Sequence, residues 1–342
     1  MFAKTREFCR DLRVHYPLLR CVFGVTFALM VSTTMGYLTP HITAIFALMF
    51  LSPNQKPMGL KKELGMVIAL AIMGYFGIIL GKYLIDYPLV LLPLLGLIIF
   101  WSFRLVKIPE AVRLLFLMLA ILIPFISLKA NILGNVVLAG MLVNLIIALL
   151  VVRVAYFIFP TTPLENTVTE SKKPVSYKNV NMNTVAFNGL IVLFPVVFVF
   201  YLYNATTAVL TLVFATLLCF DPFIYQSKKG TVLIVANLFG GLAGILAYNV
   251  LVIAPSYVLY LFLILSVAFY FVPHIFSGKK TAPVFRISFN TFFVVMGIIS
   301  TSTNEAGDTI WERVVQIGLA IIYVIVAFKV VNTFNNPKLA DD

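Results

Sequence analysis

From Leu18 to Val331 the sequence is a succession of apolar runs, most about 20 residues long, with most of the charge placed in the short connections between them. A helix rises about 1.5 Å per residue, so roughly 20 apolar residues cross the ~30 Å of hydrocarbon in a bilayer. Spans are therefore expected near residues 18–37, 40–53, 64–84, 88–103, 109–127 and 132–158. Six more are expected near 184–203, 205–221, 230–250, 256–276, 283–301 and 309–333. The second and eighth runs are short, and the turns "YLTPH" and "YNATT" before them leave little room. Each of those pairs can also be read as a single broken hairpin. Composition leaves no soluble alternative: hydrophobic residues are 61% of the 342 and charged residues 11%, at a mean hydropathy of +1.04. A soluble domain carries roughly 25% charged residues. The expected fold class is an all-α polytopic membrane protein of about twelve transmembrane helices.

The sign of the connections fixes an orientation. If the N-terminus is cytoplasmic, the inner segments hold 17 lysines and arginines, including Arg10, Lys56, Lys61, Lys62, Lys172, Lys228 and Lys279. The outer ones hold three, Lys82, Lys129 and Arg313. That is the positive-inside pattern, and it puts both termini and the central linker in the cytoplasm. The opening "MFAKTREFCRDLRVHYP" lacks an apolar core followed by a small-residue cleavage site, so the first span is expected to stay in the membrane. The net charge of +12 is dispersed, which does not make a nucleic-acid footprint. Cys9, Cys21 and Cys219 have no paired spacing, and His15, His41 and His274 are scattered. The expectation is packing cysteines and no metal site.

The two halves of the chain echo each other. "SPNQKPMGLKKELGMVIALAIMGYFGIILG" meets "DPFIYQSKKGTVLIVANLFGGLAGILAY", with Lys62, Gly74, Gly77 and Pro88 falling on Lys229, Gly241, Gly244 and Pro255 at a constant offset of 167. Further on, "RLLFLMLAILIPFIS" meets "RISFNTFFVVMGIIS". Six spans per unit make the halves parallel, a repeat of the kind some secondary transporters use. The expected organisation is a first six-span unit over 1–159, a linker over 160–183 and a second unit over 184–342. Pro53 and Pro222 end the two short runs, where helices that stop inside the membrane often line a transport pathway. Glycines at i and i+3, in "GYFG" and "GLAG", are expected to let a neighbouring helix approach closely.

A short span ending in Ser-Pro or Asp-Pro, a basic turn and then a glycine-patterned helix resemble the fusaric acid resistance protein-like superfamily. The stretches that carry the resemblance are "HITAIFALMFLSPNQKPMGLKKELGMVIALAIMGYFGIILG" and "AVLTLVFATLLCFDPFIYQSKKGTVLIVANLFGGLAGILAY". It implies a bacterial inner-membrane exporter of small organic anions, aromatic carboxylic acids in particular, working with a periplasmic adaptor (membrane fusion) protein. Related plant anion channels make a passive organic-anion channel the alternative, and a non-transporting scaffold is a third reading. Longer exporters of the group carry a cytoplasmic domain where this chain has only its linker, so the resemblance is to a compact branch.

Ionisable groups inside spans are functional candidates because they are expensive there. Arg113 and Arg286 are equivalent by the repeat, and two guanidiniums can hold a carboxylate by bidentate hydrogen bonds. Glu110 precedes Arg113 by three residues and can pair with it, which leaves Arg286 the stronger candidate. Asn290 shares its helix face one turn on. Arg20, near the start of the first span, is the fourth candidate for substrate binding; its plain alternative is snorkelling to headgroups. Asp221, beside Pro222, and His41, at the outer end of the second span, are the candidates for proton coupling. Asn144, Asn188, Asn237 and Thr291 are expected to bond between helices. No nucleophile, nucleotide-binding or metal motif is present, so the expectation is a non-enzyme without cofactor whose partners are the anion, the bilayer and the adaptor. Transport would then draw on a proton gradient. The small-residue faces also allow a homo-oligomer.

Overall fold

The computed structural model describes residues 15–37, 39–53, 55, 57–105, 110–161, 182–204, 209–219, 229–279 and 281–301, and parts of 315–333. All regular structure among the described residues is α-helical. The helices are α1 (Tyr16–Thr34), α2 (Pro40–Leu51), α3 (Leu60–Leu84), α4 (Pro88–Arg104), α5 (Glu110–Ser127) and α6 (Asn131–Ile158). They continue as α7 (Met182–Leu202), α8 (Val209–Cys219), α9 (Lys229–Ile253), α10 (Tyr257–Ile275) and α11 (Ala282–Thr301). A last apolar helix, α12, covers Gly318–Val331.

Local chemistry sets several ends. Proline occupies the first turn of α1, α2 and α4, where its missing N–H costs nothing. Ser256 caps α10 by accepting from the Leu259 amide at 3.1 Å. Gly36 and Gly278, at φ +68° and +67°, take the left-handed conformation just after α1 and α10, where a Cβ would be strained.

Among the described residues six helices are long and apolar enough to cross a membrane: those over Tyr16–Thr34, Leu60–Leu84, Ile132–Ile158, Asn183–Leu202, Val235–Ile253 and Tyr257–Ile275. The others are apolar over shorter stretches, such as Val112–Ser127 and Ala282–Gly297. The 12 residues of α2 reach only about 18 Å, and the 11 of α8 less. After Leu51 the backbone of Ser52 turns extended at ψ 158°, and its hydroxyl bonds back to the Leu48 carbonyl at 2.5 Å. Large side chains such as Leu89, Phe157 and Ile253 stand at least 85% exposed. Hydrocarbon, not water, is the solvent for such a surface.

The chain forms two compact units, over 1–64, 140–175 and 235–310, and over 65–139, 176–234 and 311–342. In the first, α1 packs on α2 and α10, and α11 packs on both α2 and α10, closing a ring of four helices. In the second, α7 packs on α8 and α4, and α5 packs on both α8 and α4, closing another. A shift of six in helix number, counted cyclically over the twelve, turns one ring's set of contacts into the other's. Each ring thus takes its helices from both halves of the chain.

Glycines let helices meet at backbone distance. In the second unit a Cβ on Gly77 would stand 2.8 Å from the Leu119 carbonyl oxygen, and one on Gly74 would strike Leu138. In the first unit Gly240 faces the Ser288 carbonyl so closely that any Cβ would collide with backbone, and Gly244 faces Val295 and the Phe292 carbonyl. Gly241, the expected partner of Gly244, faces open space. The reason is periodicity: residues four apart stack on one helix face, and Gly241 is rotated off it by one step.

Candidate functional site

Most of the residues nominated by sequence and described here lie in the first unit. At the end where α1 begins, Arg20 is 4% exposed. Its Nη1 donates to the Phe159 carbonyl at 3.2 Å, just past the end of α6, and its guanidinium lies 4.2 Å from the Tyr156 ring centroid. A cation at the last carbonyls of a helix satisfies acceptors that have no intrahelical donor. Arg286, on α11, comes within electrostatic range of Cys21 on α1, as does Arg20. The packing of one unit therefore places two guanidiniums within electrostatic range of one buried thiol. Arg286 is exposed and has no hydrogen bond or ion pair among the described residues; Asn290 follows one turn later, half-buried.

Arg113 has a different task. It lies in the second unit, where its Nη1 donates to the Ser102 and Phe103 carbonyls at 3.0 and 3.3 Å. It holds the end of α4 as Arg20 holds the end of α6. The structure does not bring Arg113 and Arg286 together within a unit. Asp221, the side chain of Glu110 and the linker over 162–181 lie outside the described residues.

Near Arg20, Glu63 of α3 forms an ion pair with Arg153 of α6 at 2.5 Å, and the Tyr156 hydroxyl donates to the Gln55 carbonyl at 3.3 Å. These contacts tie the segment after α2 to α6. Sequence reading did not nominate Arg153, because a partner 90 positions away leaves no trace in local spacing.

The other end of the first unit is built around His41, 4% exposed. Its Nε2 lies 3.1 Å from the Tyr260 hydroxyl of α10, and its Nδ1 has no partner among the described residues. Gly297 of α11 sits against the ring; a Cβ there would be 3.3 Å from Nδ1. His41 and Tyr260 line a cavity of about 370 Å³ with Thr33, Tyr248, Leu251, Val252 and Met296, among others. Deeper in the unit, Asn144 Oδ1 accepts from Thr43 at 2.7 Å and Ser32 at 3.3 Å, while its Nδ2 donates to Thr39 at 2.9 Å. Between α9 and α11, Thr291 donates to Asn237 Oδ1 at 2.7 Å, and Ser288 to the Ala236 carbonyl at 2.8 Å. These are the expected interhelical bonds.

Among the described residues no group of three or more His, Cys, Asp or Glu could hold a metal ion. Cys21 and Cys219 are buried free thiols. A family profile described as a protein of unknown function, DUF2955, matches residues 17–158. That stretch runs from the start of α1 to the end of α6. No curated protein and no solved structure matches the chain.

Proposed function

We propose that the protein is a secondary transporter of the bacterial inner membrane that exports small organic anions, aromatic carboxylates in particular, at the expense of the proton gradient. The observation that carries the reading is Arg286: a guanidinium in an apolar helical unit, without an anionic partner among the described residues, and in the same unit as Arg20. A guanidinium offers a planar fork of donors that matches a carboxylate bidentately, and a cation without a counter-charge is costly within an apolar helical unit. An anion arriving there removes that cost. Arg20 is already turned toward the end of α6, so in this account it adds field and position, and Arg286 makes the contact.

A parallel repeat is supported by the matching four-helix rings and by Gly77 and Gly244, each facing a carbonyl of the helix two further on. It is supported too by a family match that ends where the first six helices end. The short α2 and α8 fit the interrupted helices that transporters place near their sites. Cytoplasmic termini and an external adaptor partner complete the reading.

The test is Arg286→Ala in cells loaded with a hydroxybenzoate, with membrane abundance measured in parallel. Extrusion should fall at least about tenfold, the size of one lost charge-assisted hydrogen bond, at unchanged abundance. Extrusion equal to that of the unaltered protein would remove Arg286 from the site.

A further inference from the structure

The cavity shared by His41 and Tyr260 lies well away from the arginines. Thr33 lines it, and thirteen residues of α1 separate Thr33 from Arg20, about 20 Å at 1.5 Å per residue. Its volume of about 370 Å³ falls within the range of small-molecule pockets. Leu251, Val252 and Met296 give it carbon walls, and among the described residues no lysine or arginine lines it. An anion would be desolvated there without compensation.

Water fits it poorly as well. A buried water needs two to four polar partners, and of the lining hydroxyls only that of Tyr248 is not already engaged among the described residues. Thr33 donates to the Leu29 carbonyl at 2.7 Å, and Tyr260 bonds both His41 Nε2 and Thr33. What remains is limited but specific. A phenolic oxygen donates once and can accept twice, so with both His41 and Thr33 bonded to Tyr260 what it keeps is acceptor capacity, in either imidazole tautomer. A ligand hydroxyl can donate to it. The imidazole itself is under-bonded, since Nδ1 is buried without a partner and Gly297 sets no side chain against it.

We propose that this cavity binds a small, uncharged, mostly apolar molecule of one or two rings, whose single hydroxyl joins the His41–Tyr260 pair. The site shares His41, a proton-coupling candidate, with the anion reading, but the variants at Val252 and Tyr260 touch nothing that reading uses, so either can fail alone.

Phenol is the probe, with benzene lacking the hydroxyl and benzoate carrying a charge, each titrated against the full chain in lipid nanodiscs by saturation-transfer NMR. Val252 is 57% exposed, so Val252→Phe can fill the cavity mouth without disturbing packing elsewhere; an unchanged melting temperature verifies this. Phenol should bind saturably, and Val252→Phe should abolish the saturable component. Tyr260→Phe should weaken phenol about tenfold, the size of one buried hydrogen bond, while leaving benzene unchanged. Phenol that merely partitions into the lipid, equally with the unaltered chain and with Val252→Phe, overturns the site. Phenol binding indifferent to Tyr260→Phe overturns the role of the hydroxyl, and benzoate binding as tight as phenol overturns the requirement for an uncharged ligand.

Discussion

Asn144 illustrates what a single side chain does in this protein. It ties α6 to both α1 and α2 through Ser32, Thr43 and Thr39, and all its partners but Thr39 are fully buried. Asn144→Ala removes these bonds at once. The Ser32 and Thr43 hydroxyls, 3.0 Å apart, can still bond each other. The cost is therefore set at about 1–3 kcal/mol and not at the sum of three bonds. Unfolding by detergent titration should shift by that amount, with Asn188→Ala as a comparison at another buried asparagine. Arg113→Ala should likewise lower stability, by freeing the carbonyls at the end of α4, and should leave the affinity for the transported anion unchanged. The sequence favoured Arg286 over Arg113 only because Glu110 stands three residues before Arg113. What separates them is whether a helix end lies within reach, and only packing decides that. His41 was legible as a titratable group inside a span, but Tyr260 was not. The pair is 219 positions apart and no period connects them.

At the scale of a helix, apolar run length was informative because hydrocarbon thickness imposes it. Each of the twelve expected apolar runs overlaps a helix, and among the described residues six of those helices are long and apolar enough to cross a membrane. The shortness of the second and eighth runs also carried through to α2 and α8. Helix faces were less legible. The pattern of glycines marked α3 and α9 as close-packing helices, yet in α9 the contact is made by Gly240 and Gly244, while Gly241 is open. A prediction follows from this face. Gly240→Ala puts a methyl into the Ser288 carbonyl, which cannot yield as a flexible side chain can, whereas Gly241→Ala meets nothing within 4 Å. The first should cost a few kcal/mol or prevent folding. The second should be neutral or slightly stabilising, since alanine is the better helix former by about 1 kcal/mol. Thermal stability of the two purified variants compares them directly.

For the whole molecule, the order of the chain and the order of packing differ. The sequence echo divides the chain into halves, but each compact unit takes helices from both: α1 and α2 with α9, α10 and α11 in one, α7 and α8 with α3, α4 and α5 in the other. Local patterns carry no information about such an exchange, because every helix is equally apolar and the choice of neighbour rests on small contacts far apart in sequence. It has a measurable consequence. Residues 1–175 and 176–342, expressed separately, should each fail to give a stable protein, since each lacks helices of both rings. Expressed together, they should recover membrane abundance and purify as one complex. Independent stability of either fragment would contradict the interleaved packing.

The account as a whole turns on vectorial movement of an organic anion past Arg286. Its most direct test is flux of a radiolabelled hydroxybenzoate in liposomes of the purified protein, with and without an imposed pH gradient, for the unaltered chain and for Arg286→Ala. The account predicts accumulation that requires the gradient and is lost in the variant. Flux that ignores the gradient would make the protein a passive channel, and the same flux in both chains would contradict the assigned site.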